Sequence, residues 1–161
     1  MTTPPFNVVL VEPEIPPNTG NIARLCAATR TVLHLVKPLG FELSDRTLKR
    51  AGLDYWRHLT WQTWENASAF FQAVPERRLH LFTTRAGGPY HRADYQPGDY
   101  LVFGRETRGL PIELLTTHPE RCRRIPMAHP EVRSLNLSSS VALALYEALR
   151  QSGALDLCGE P

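Results

Sequence analysis

Three polar segments of the chain carry the residue types that bind ligands and act on them. They are Asn18–Arg24 (NTGNIAR), Phe103–Pro111 (FGRETRGLP) and Arg133–Ser140 (RSLNLSSS). Their amides, hydroxyls and carboxylate can orient a bound group, and their arginines suit phosphate because the planar guanidinium donates two hydrogen bonds at once. Each segment alone is equally typical of a turn or a helix cap. Their occurrence together in one chain is therefore the informative feature.

The elements around these segments alternate between strands and helices. Apolar runs predict strands at Asn7–Val11, Val32–Val36, Leu79–Thr83, Tyr100–Phe103 and Arg123–Pro126. Helical stretches are expected near Ser44–Ala51 and Glu65–Val74. This order is typical of an α/β fold with a mostly parallel sheet flanked by helices.

In sheets of this kind, ligands bind in the crevice beyond the carboxyl ends of the strands. Gly104 directly follows a predicted strand, and its missing side chain is expected to let a ligand reach the backbone. Other familiar sites are excluded by spacing, since no GxGxxG follows a strand and no GxxxxGK[ST], GxSxG or HExxH occurs. The sequence thus argues against a Rossmann dinucleotide enzyme and a P-loop NTPase.

The helix after the first strand should present an arginine away from the core. Pro13, Pro16 and Pro17 cannot continue the strand or sit inside a helix, so Asn18 or Thr19 is expected to cap the helix. Its core-facing stripe holds Ile22, Leu25, Cys26 and Thr29. A different face carries Asn21, Arg24 and Ala28.

The last helix, expected over about Asn136–Gln151, is apolar around much of its circumference. The apolar residues are Leu137, Val141, Ala142, Leu143, Leu145, Tyr146 and Leu149. A helix that is apolar on nearly all sides must be covered on nearly all sides. We expect one face to meet the sheet and the other to meet a second subunit in a homodimer. A deep slot within one subunit is the competing explanation.

Length and composition favour one domain. The chain has 161 residues, and we expect a single domain over residues 1–152 and a short, frayed tail over residues 153–161. Residues 1–5 carry no basic charge and the apolar run 6–11 is followed by Glu12, so neither a signal peptide nor a membrane span is expected. A cytoplasmic location follows as an expectation, and three dispersed cysteines without a CxxC pair agree with a reducing compartment.

Charge and histidine spacing restrict the possible partners. The net charge of +2 is too small to indicate nucleic acid by itself, although arginines cluster near predicted strand ends at 77–78, 105–108 and 121–124. That distribution favours RNA only weakly over ordinary surface charge. The six histidines show no i, i+4 pairing and no nearby cysteine pair, so no metal site is expected.

Taken together, the three polar segments resemble the three motifs of the SPOUT methyltransferases, over about Asn7–Gln151. The opening Glu12–Asn21 (EPEIPPNTGN) and the segment Arg50–Tyr55 (RAGLDY) are similar to the subgroup of tRNA (cytidine/uridine 34-2′-O)-methyltransferases in particular. The resemblance implies a parallel sheet whose C-terminal part forms a deep trefoil knot. It also implies S-adenosylmethionine as cofactor, tRNA as substrate, and a homodimer with the active site at the subunit interface.

Site residues follow from the same resemblance. The residues implied to bind the cofactor are Phe82, Thr83, Gly104, Ile125, Met127, Ser134 and Leu135. Those implied to act on the ribose hydroxyl are Arg24, with Asn18, Glu106, Ser134 and Asn136 as positioning groups. Arg105 departs from the subgroup, where proline is frequent at this position, which leaves the rigidity of the local loop open.

The implied chemistry leaves several alternatives. Arg24 can act as the general base, as the family mechanism is often written. Alternatively, its fixed charge can stabilise the developing alkoxide while water or phosphate takes the proton. Arginine is effectively always protonated in proteins, which favours the role in charge stabilisation. The substrate can be another RNA such as rRNA. A catalytically silent RNA-binding factor of the same fold is the rival function, against which the presence of all five residues argues.

Overall fold

The computed structural model describes residues 4–44, 46 and 53–157. Its centre is a seven-stranded sheet in the order β3-β2-β1-β6-β4-β7-β5. The strands are β1 (Asn7–Val11), β2 (Val32–Val36), β3 (Trp61–Trp64), β4 (Leu79–Phe82), β5 (Gly88–Pro89), β6 (Tyr100–Phe103) and β7 (Cys122–Arg124). Every neighbouring pair among them is parallel, which confirms the predicted sheet.

Two of the described strands were not predicted, and two others end earlier than expected, β4 at Phe82 rather than Thr83 and β7 at Arg124 rather than Pro126. β3 is an edge strand whose side chains are exposed or half-buried, so it lacks the continuous apolar run of a buried strand. β5 has only two residues, too few to give a pattern. β7 ends at Arg124, which leaves Ile125 and Pro126 in the loop that follows rather than in the strand.

Four α-helices accompany the sheet within residues 4–44 and 53–157. They are α1 (Pro16–Thr29), α2 (Ala67–Ala73), α3 (Ile112–Thr117) and α4 (Leu137–Ser152). The prediction at Glu65–Val74 is confirmed by α2, and α3 was not predicted. The helical stretch expected over Ser44–Ala51 lies almost entirely outside the described residues.

The start of α1 differs from the prediction. Pro16 and Pro17 form its first turn, and Ile15 is the N-cap residue, with no side-chain capping bond of its own. Proline fits there because the first helical N–H groups have no partner inside the helix, so a missing N–H costs nothing. Asn18 and Thr19 therefore lie inside the helix and do not cap it. The predicted core stripe is confirmed, since Ile22 and Cys26 are fully buried while Arg24 is exposed.

Side chains on the two faces of the sheet form two apolar clusters. On β1, Val8 and Leu10 pack with α1 and α4, whereas Val9 packs with Phe70 of α2 and Leu115 of α3. This alternation follows from the two-residue period of a strand, and helices cover both faces. It leaves the edge at the carboxyl ends of the strands to the loops.

The last helix is buried on one side only. Val141, Leu145 and Leu149 face the core, while Leu143 and Tyr146 are 43% and 44% exposed. The competing explanation of a deep slot within one subunit is therefore wrong for these two residues. Asn136 caps α4 by accepting hydrogen bonds from the backbone N–H groups of Ser138 and Ser139.

The tail is more ordered than expected over its first part. A 3-10 helix spans Ala154–Leu157, and Leu155 packs against the α4 side of the core. Residues 158–161 lie outside the described part. In the described part, no helix has the length and apolar character that crossing a membrane requires.

Candidate active site

A cleft of about 650 Å³ lies beyond the carboxyl ends of β4, β6 and β7. Loops from all three strands line it, together with the start of α1 and the segment before α4. The volume is within the range of about 300–1,000 Å³ that small-molecule sites occupy. This position is where a parallel α/β sheet is expected to bind its ligand.

All residues predicted to bind the cofactor line this cleft. They are Phe82, Thr83, Gly104, Ile125, Met127, Ser134 and Leu135. The rings of Phe82 and Phe103 stack at 4.6 Å between centroids, so the ends of β4 and β6 are held side by side. The structure thus brings together residues from four separate parts of the chain, three of them at strand ends as the strand-end argument predicted.

Gly104 has a role within the loop that was not predicted. A Cβ atom at this position would come within 2.1 Å of the carbonyl carbon of Gly109 and 2.2 Å of the backbone nitrogen of Leu110. Glycine is therefore required because the loop folds back on itself. That a ligand reaches the Gly104 backbone stays a prediction, and Gly104 does line the cleft.

The loop after β6 is a tight turn held to the β1–α1 connection. Arg105 and Gly109 exchange two backbone hydrogen bonds. The Arg105 guanidinium donates from Nε and Nη2 to Oε2 of Glu12, at 2.9 and 2.6 Å. Proline is frequent at this position in the subgroup, and Arg105 instead makes the loop rigid through its ion pair with Glu12.

A second contact fixes the other side of this loop. The Thr107 hydroxyl donates to Oε1 of Glu14 at 2.7 Å. This hydrogen bond holds the pKa of the Glu14 carboxyl below its usual value, outweighing the small opposing effect of burial. Glu14 is thus a partner of the loop in its charged form.

Glu106, Asn18 and Asn136, one from each polar segment, form a connected network. The Glu106 carboxylate accepts from the backbone N–H groups of Glu14 at 2.8 Å and Ile15 at 3.0 Å, and from the Asn18 amide at 3.4 Å. The Asn18 carbonyl oxygen accepts from the Asn136 amide at 3.2 Å. Glu106 thereby supplies the negative charge at the start of α1, where two prolines offer no N–H.

Two predicted catalytic residues stand outside this network. Ser134 lines the cleft, and its hydroxyl has no hydrogen bond to another described residue. Arg24 does not line the cleft of its own subunit; its guanidinium lies over the ring of Tyr55, 4.9 Å from the centroid. The structure therefore brings four of the five predicted catalytic residues together and leaves Arg24 apart.

Sequence reasoning missed a buried polar chain beneath the cleft. The imidazole of His80 is hydrogen-bonded through Nε2 to Asp99 at 2.9 Å, and Arg123 donates from Nε to His80 Nδ1 at 3.1 Å. Desolvation lowers the pKa of His80 despite the Asp99 carboxylate, so the neutral ring bridges the two charges. Arg123 also lines the cleft. No sequence spacing links these three residues, which meet only through the order β6-β4-β7.

Arginines also surround the mouth of the cleft. Arg85, Arg108 and Arg133 line it, are exposed, and form no ion pair with another described residue. Cations without an acidic partner attract an anionic ligand. This rim is suited to phosphate groups.

One group of possible metal ligands lies away from the cleft. Atoms of Glu76, His118 and Glu120 lie within 4.8 Å of one another. His118 Nδ1 is 2.7 Å from a Glu76 carboxylate oxygen, and both glutamates are exposed. The histidine–glutamate contact accounts for the proximity of these side chains without an ion.

The fold and the cleft define an α/β domain that binds a small ligand at the edge of a parallel sheet and offers cations to an anionic partner beside it. The chain belongs to the SpoU rRNA Methylase family, whose profile matches residues 5–146. This family implies the trefoil knot of the C-terminal part that the resemblance predicted.

Individual relatives agree with this membership. A tRNA (cytidine(34)-2'-O)-methyltransferase of Burkholderia cenocepacia is 52% identical over 151 residues, covering 92% of this chain and 96% of that protein. A solved structure described as giving insights into the 2-OH methylation of C/U34 on tRNA matches with a TM-score of 0.85 and 48% identity, covering 91% and 95%. An AdoMet-bound rRNA methyltransferase from Sinorhizobium meliloti matches with a TM-score of 0.78 and 26% identity, covering 90% and 56%.

Proposed function

We propose that this protein transfers a methyl group from S-adenosylmethionine to the ribose 2′-hydroxyl of the wobble nucleotide, position 34, in tRNA anticodon loops. The observation that carries the proposal is the cleft in which Asn18, Glu106 and Asn136 join three loops around one ligand site. Similarity to proteins of that activity extends over 92% of the chain.

The cleft suits the cofactor. Its walls combine apolar groups, such as Phe82, Ile125 and Leu135, with backbone at the ends of strands that can bind the edges of a nucleoside. Bound there, S-adenosylmethionine supplies a methyl group on a cationic sulfonium. The chain's own task is then to align the ribose oxygen with that methyl group and to increase the nucleophilicity of a weakly acidic hydroxyl.

We assign that second task to Arg24. A fixed guanidinium charge beside the ribose stabilises the alkoxide that develops as the oxygen attacks, and its N–H groups can also donate to a neighbouring phosphate. Because arginine stays protonated in proteins, water or a phosphate oxygen is the better proton acceptor. The exposed position of Arg24, without an acidic partner among the described residues, supports this role.

The position of Arg24 further supports a homodimer. Arg24 is six residues beyond Asn18 on α1, which corresponds to about 9 Å along the helix and about 120° around it. Its side chain therefore turns away from the cleft to which Asn18 belongs. We propose that Arg24 of one subunit acts at the cleft of the other, with the exposed Leu143 and Tyr146 of α4 packing in the interface.

The proposed substrate agrees with the arginines around the cleft. A single-stranded loop presents accessible 2′-hydroxyls and phosphates, which the arginines around the cleft can approach. The chain spans 96% of the tRNA-modifying relative but only 56% of the rRNA methyltransferase. That difference favours tRNA over rRNA. We also propose a cytoplasmic location, which agrees with the proposed action on tRNA and with the free thiols of Cys26 and Cys122.

Mass spectrometry of digested tRNA tests the proposal. Purified protein is incubated with S-adenosylmethionine and total tRNA, in parallel with rRNA and with the Arg24→Ala variant. The expected product is a 2′-O-methylated nucleotide at position 34, absent with the variant. A methyl on a base, at another position, or only on rRNA would refute the assignment, and binding without transfer would indicate a catalytically silent factor.

Sedimentation and subunit mixing test the dimer. The protein should sediment at twice the mass of one chain. Mixing Arg24→Ala with a cleft variant such as Ser134→Ala should restore activity in mixed dimers, because one of their two sites keeps both residues. Absence of any recovery in mixed dimers would show that Arg24 acts within its own subunit.

A further inference from the structure

The contact between Arg24 and Tyr55 is not explained by packing of the core. The Arg24 guanidinium carbon lies 4.9 Å from the centroid of the Tyr55 ring, within the distance of about 6 Å at which a cation is attracted to the face of an aromatic ring. Both side chains are exposed, and Tyr55 is 40% accessible. Arg24 has no hydrogen bond or ion pair with any other described residue, so the ring is its defined partner.

Tyr55 is held in place although its ring is exposed. It lies in a 3-10 helix, Leu53–His58, that packs against α1. The next residue, Trp56, packs against the core and meets the ring of Trp61 edge-on at 5.3 Å. Leu59, buried directly after the turn, donates a backbone hydrogen bond to Trp56. The turn therefore has an anchored inner side and presents Tyr55 on its outer side.

We propose that Tyr55 is a positioning residue that holds the Arg24 guanidinium in the orientation needed at the ribose hydroxyl. The inference rests on the proposed role of Arg24. A ring against one face of the guanidinium leaves the N–H groups at its edge free to donate, which a carboxylate partner would not allow. It also restricts a long side chain with several rotatable bonds before substrate arrives.

The proposal gives a role to Tyr55, the last residue of the segment 50–55. Residues 50–55 distinguish the subgroup resemblance, and Tyr55, the one residue of this segment whose side chain is described, does not line the cleft. Through the contact of Tyr55 with Arg24, the end of that segment acts on the reacting hydroxyl. The tyrosine ring is required for this, and its hydroxyl is not.

Steady-state kinetics on the full-length dimer tests the proposal with four variants. Tyr55→Leu should lower kcat roughly three- to tenfold, in line with the usual strength of a cation–π contact, and leave the KM for tRNA and the affinity for S-adenosylhomocysteine unchanged. Tyr55→Phe, the matched control, should keep the wild-type kcat. The double variant Arg24→Ala/Tyr55→Leu should be no slower than Arg24→Ala, because the ring has nothing left to position.

Each failure has its own pattern. Absence of position-34 methylation by the wild type would refute the proposed function, and an active Arg24→Ala variant would refute the role of Arg24 and this inference with it. If Arg24→Ala is inactive and Tyr55→Leu keeps the wild-type kcat, the inference about Tyr55 is overturned and the role of Arg24 is not. A Tyr55→Leu variant with a raised KM for tRNA and an unchanged kcat would overturn it as well, since the ring would then bind RNA. If Tyr55→Leu unfolds, Tyr55→Trp decides, because a larger ring should preserve kcat.

Discussion

Replacing Gly104 by alanine should damage both the stability of the protein and its cofactor site. The added Cβ would lie 2.1 Å from the Gly109 carbonyl carbon, so the turn must retreat by more than about 1 Å to reach ordinary contact distance. Both neighbours are backbone atoms and cannot rotate away. Overpacking costs about 1–3 kcal/mol, and we expect the upper end of that range for the free energy of unfolding.

The functional effect should be larger than the loss of stability. Retreat of the turn moves Glu106 away from the N–H groups of Glu14 and Ile15, which it now meets at 2.8 and 3.0 Å. Misplacement by about 1 Å can reduce a rate roughly 100-fold, and we expect a loss of that order in methyl transfer. S-adenosylhomocysteine binding measured by calorimetry should weaken as well.

Gly88 offers a matched control in the same sheet. A Cβ there would meet nothing within 4 Å, and its backbone is not left-handed, so Gly88→Ala should shift the unfolding free energy by no more than about 1 kcal/mol. Urea unfolding and calorimetry on both variants make the comparison. Equal stability and equal cofactor affinity in Gly104→Ala and Gly88→Ala would contradict the tight turn.

Three further outcomes are expected. Glu106→Gln should lower the unfolding free energy by about 1–2 kcal/mol, because a neutral amide is a weaker acceptor for the N–H groups at the start of α1, and urea unfolding measures it. Burial lowers the pKa of His34 to about 4, so the neutral ring's contribution to stability is complete above pH 6.5 and is lost on acidification. At pH 5 the free energy of unfolding should be about 2 kcal/mol smaller than at neutral pH because of this residue. The slope of the unfolding free energy against pH should therefore be shallower in His34→Gln. Removing Arg108 or Arg133 should reduce the slope of the logarithm of the tRNA binding constant against the logarithm of salt concentration by about 0.7. Arg77 precedes β4 and so lies at the opposite edge of the sheet, and Arg77→Ala should leave this slope unchanged.

The parallel sheet was predictable because its central strands are buried on both faces. Runs such as Val8–Val11 and Leu101–Phe103 are apolar at every position, which only a covered strand requires. Residues 61–64 gave no such signal, since an edge strand is paired on one side and need not be apolar throughout. The early start of α1 was missed for a different reason. The two prolines predict an interruption of regular structure, whereas the first helical turn is where proline costs least.

The residues around the cleft were predictable, but their distances were not. Strand ends in a parallel sheet must meet at one edge, so the loops after β4, β6 and β7 could be placed together from the sequence. The hydrogen bonds from Glu14, Ile15 and Asn18 to Glu106 depend on contacts across 88–92 positions of sequence. The pairing of His80 with Asp99 and Arg123 depends likewise on strand order, which local patterns do not specify.

The polar network also limits which groups remain for the chemistry. Both oxygens of Glu106 bind backbone N–H groups, and the Asn18 amide is hydrogen-bonded at one end to Glu106 and at the other to Asn136. Asn136 in turn caps α4. These three side chains are held by one another and by helix ends, so they fix the shape of the cleft. Of the five predicted catalytic residues, Ser134 and Arg24 are the two whose polar groups have no hydrogen-bond partner in the described part. Under the proposed function, methyl transfer depends on what those two residues bind, and the proposed second subunit would bring Arg24 to a cleft.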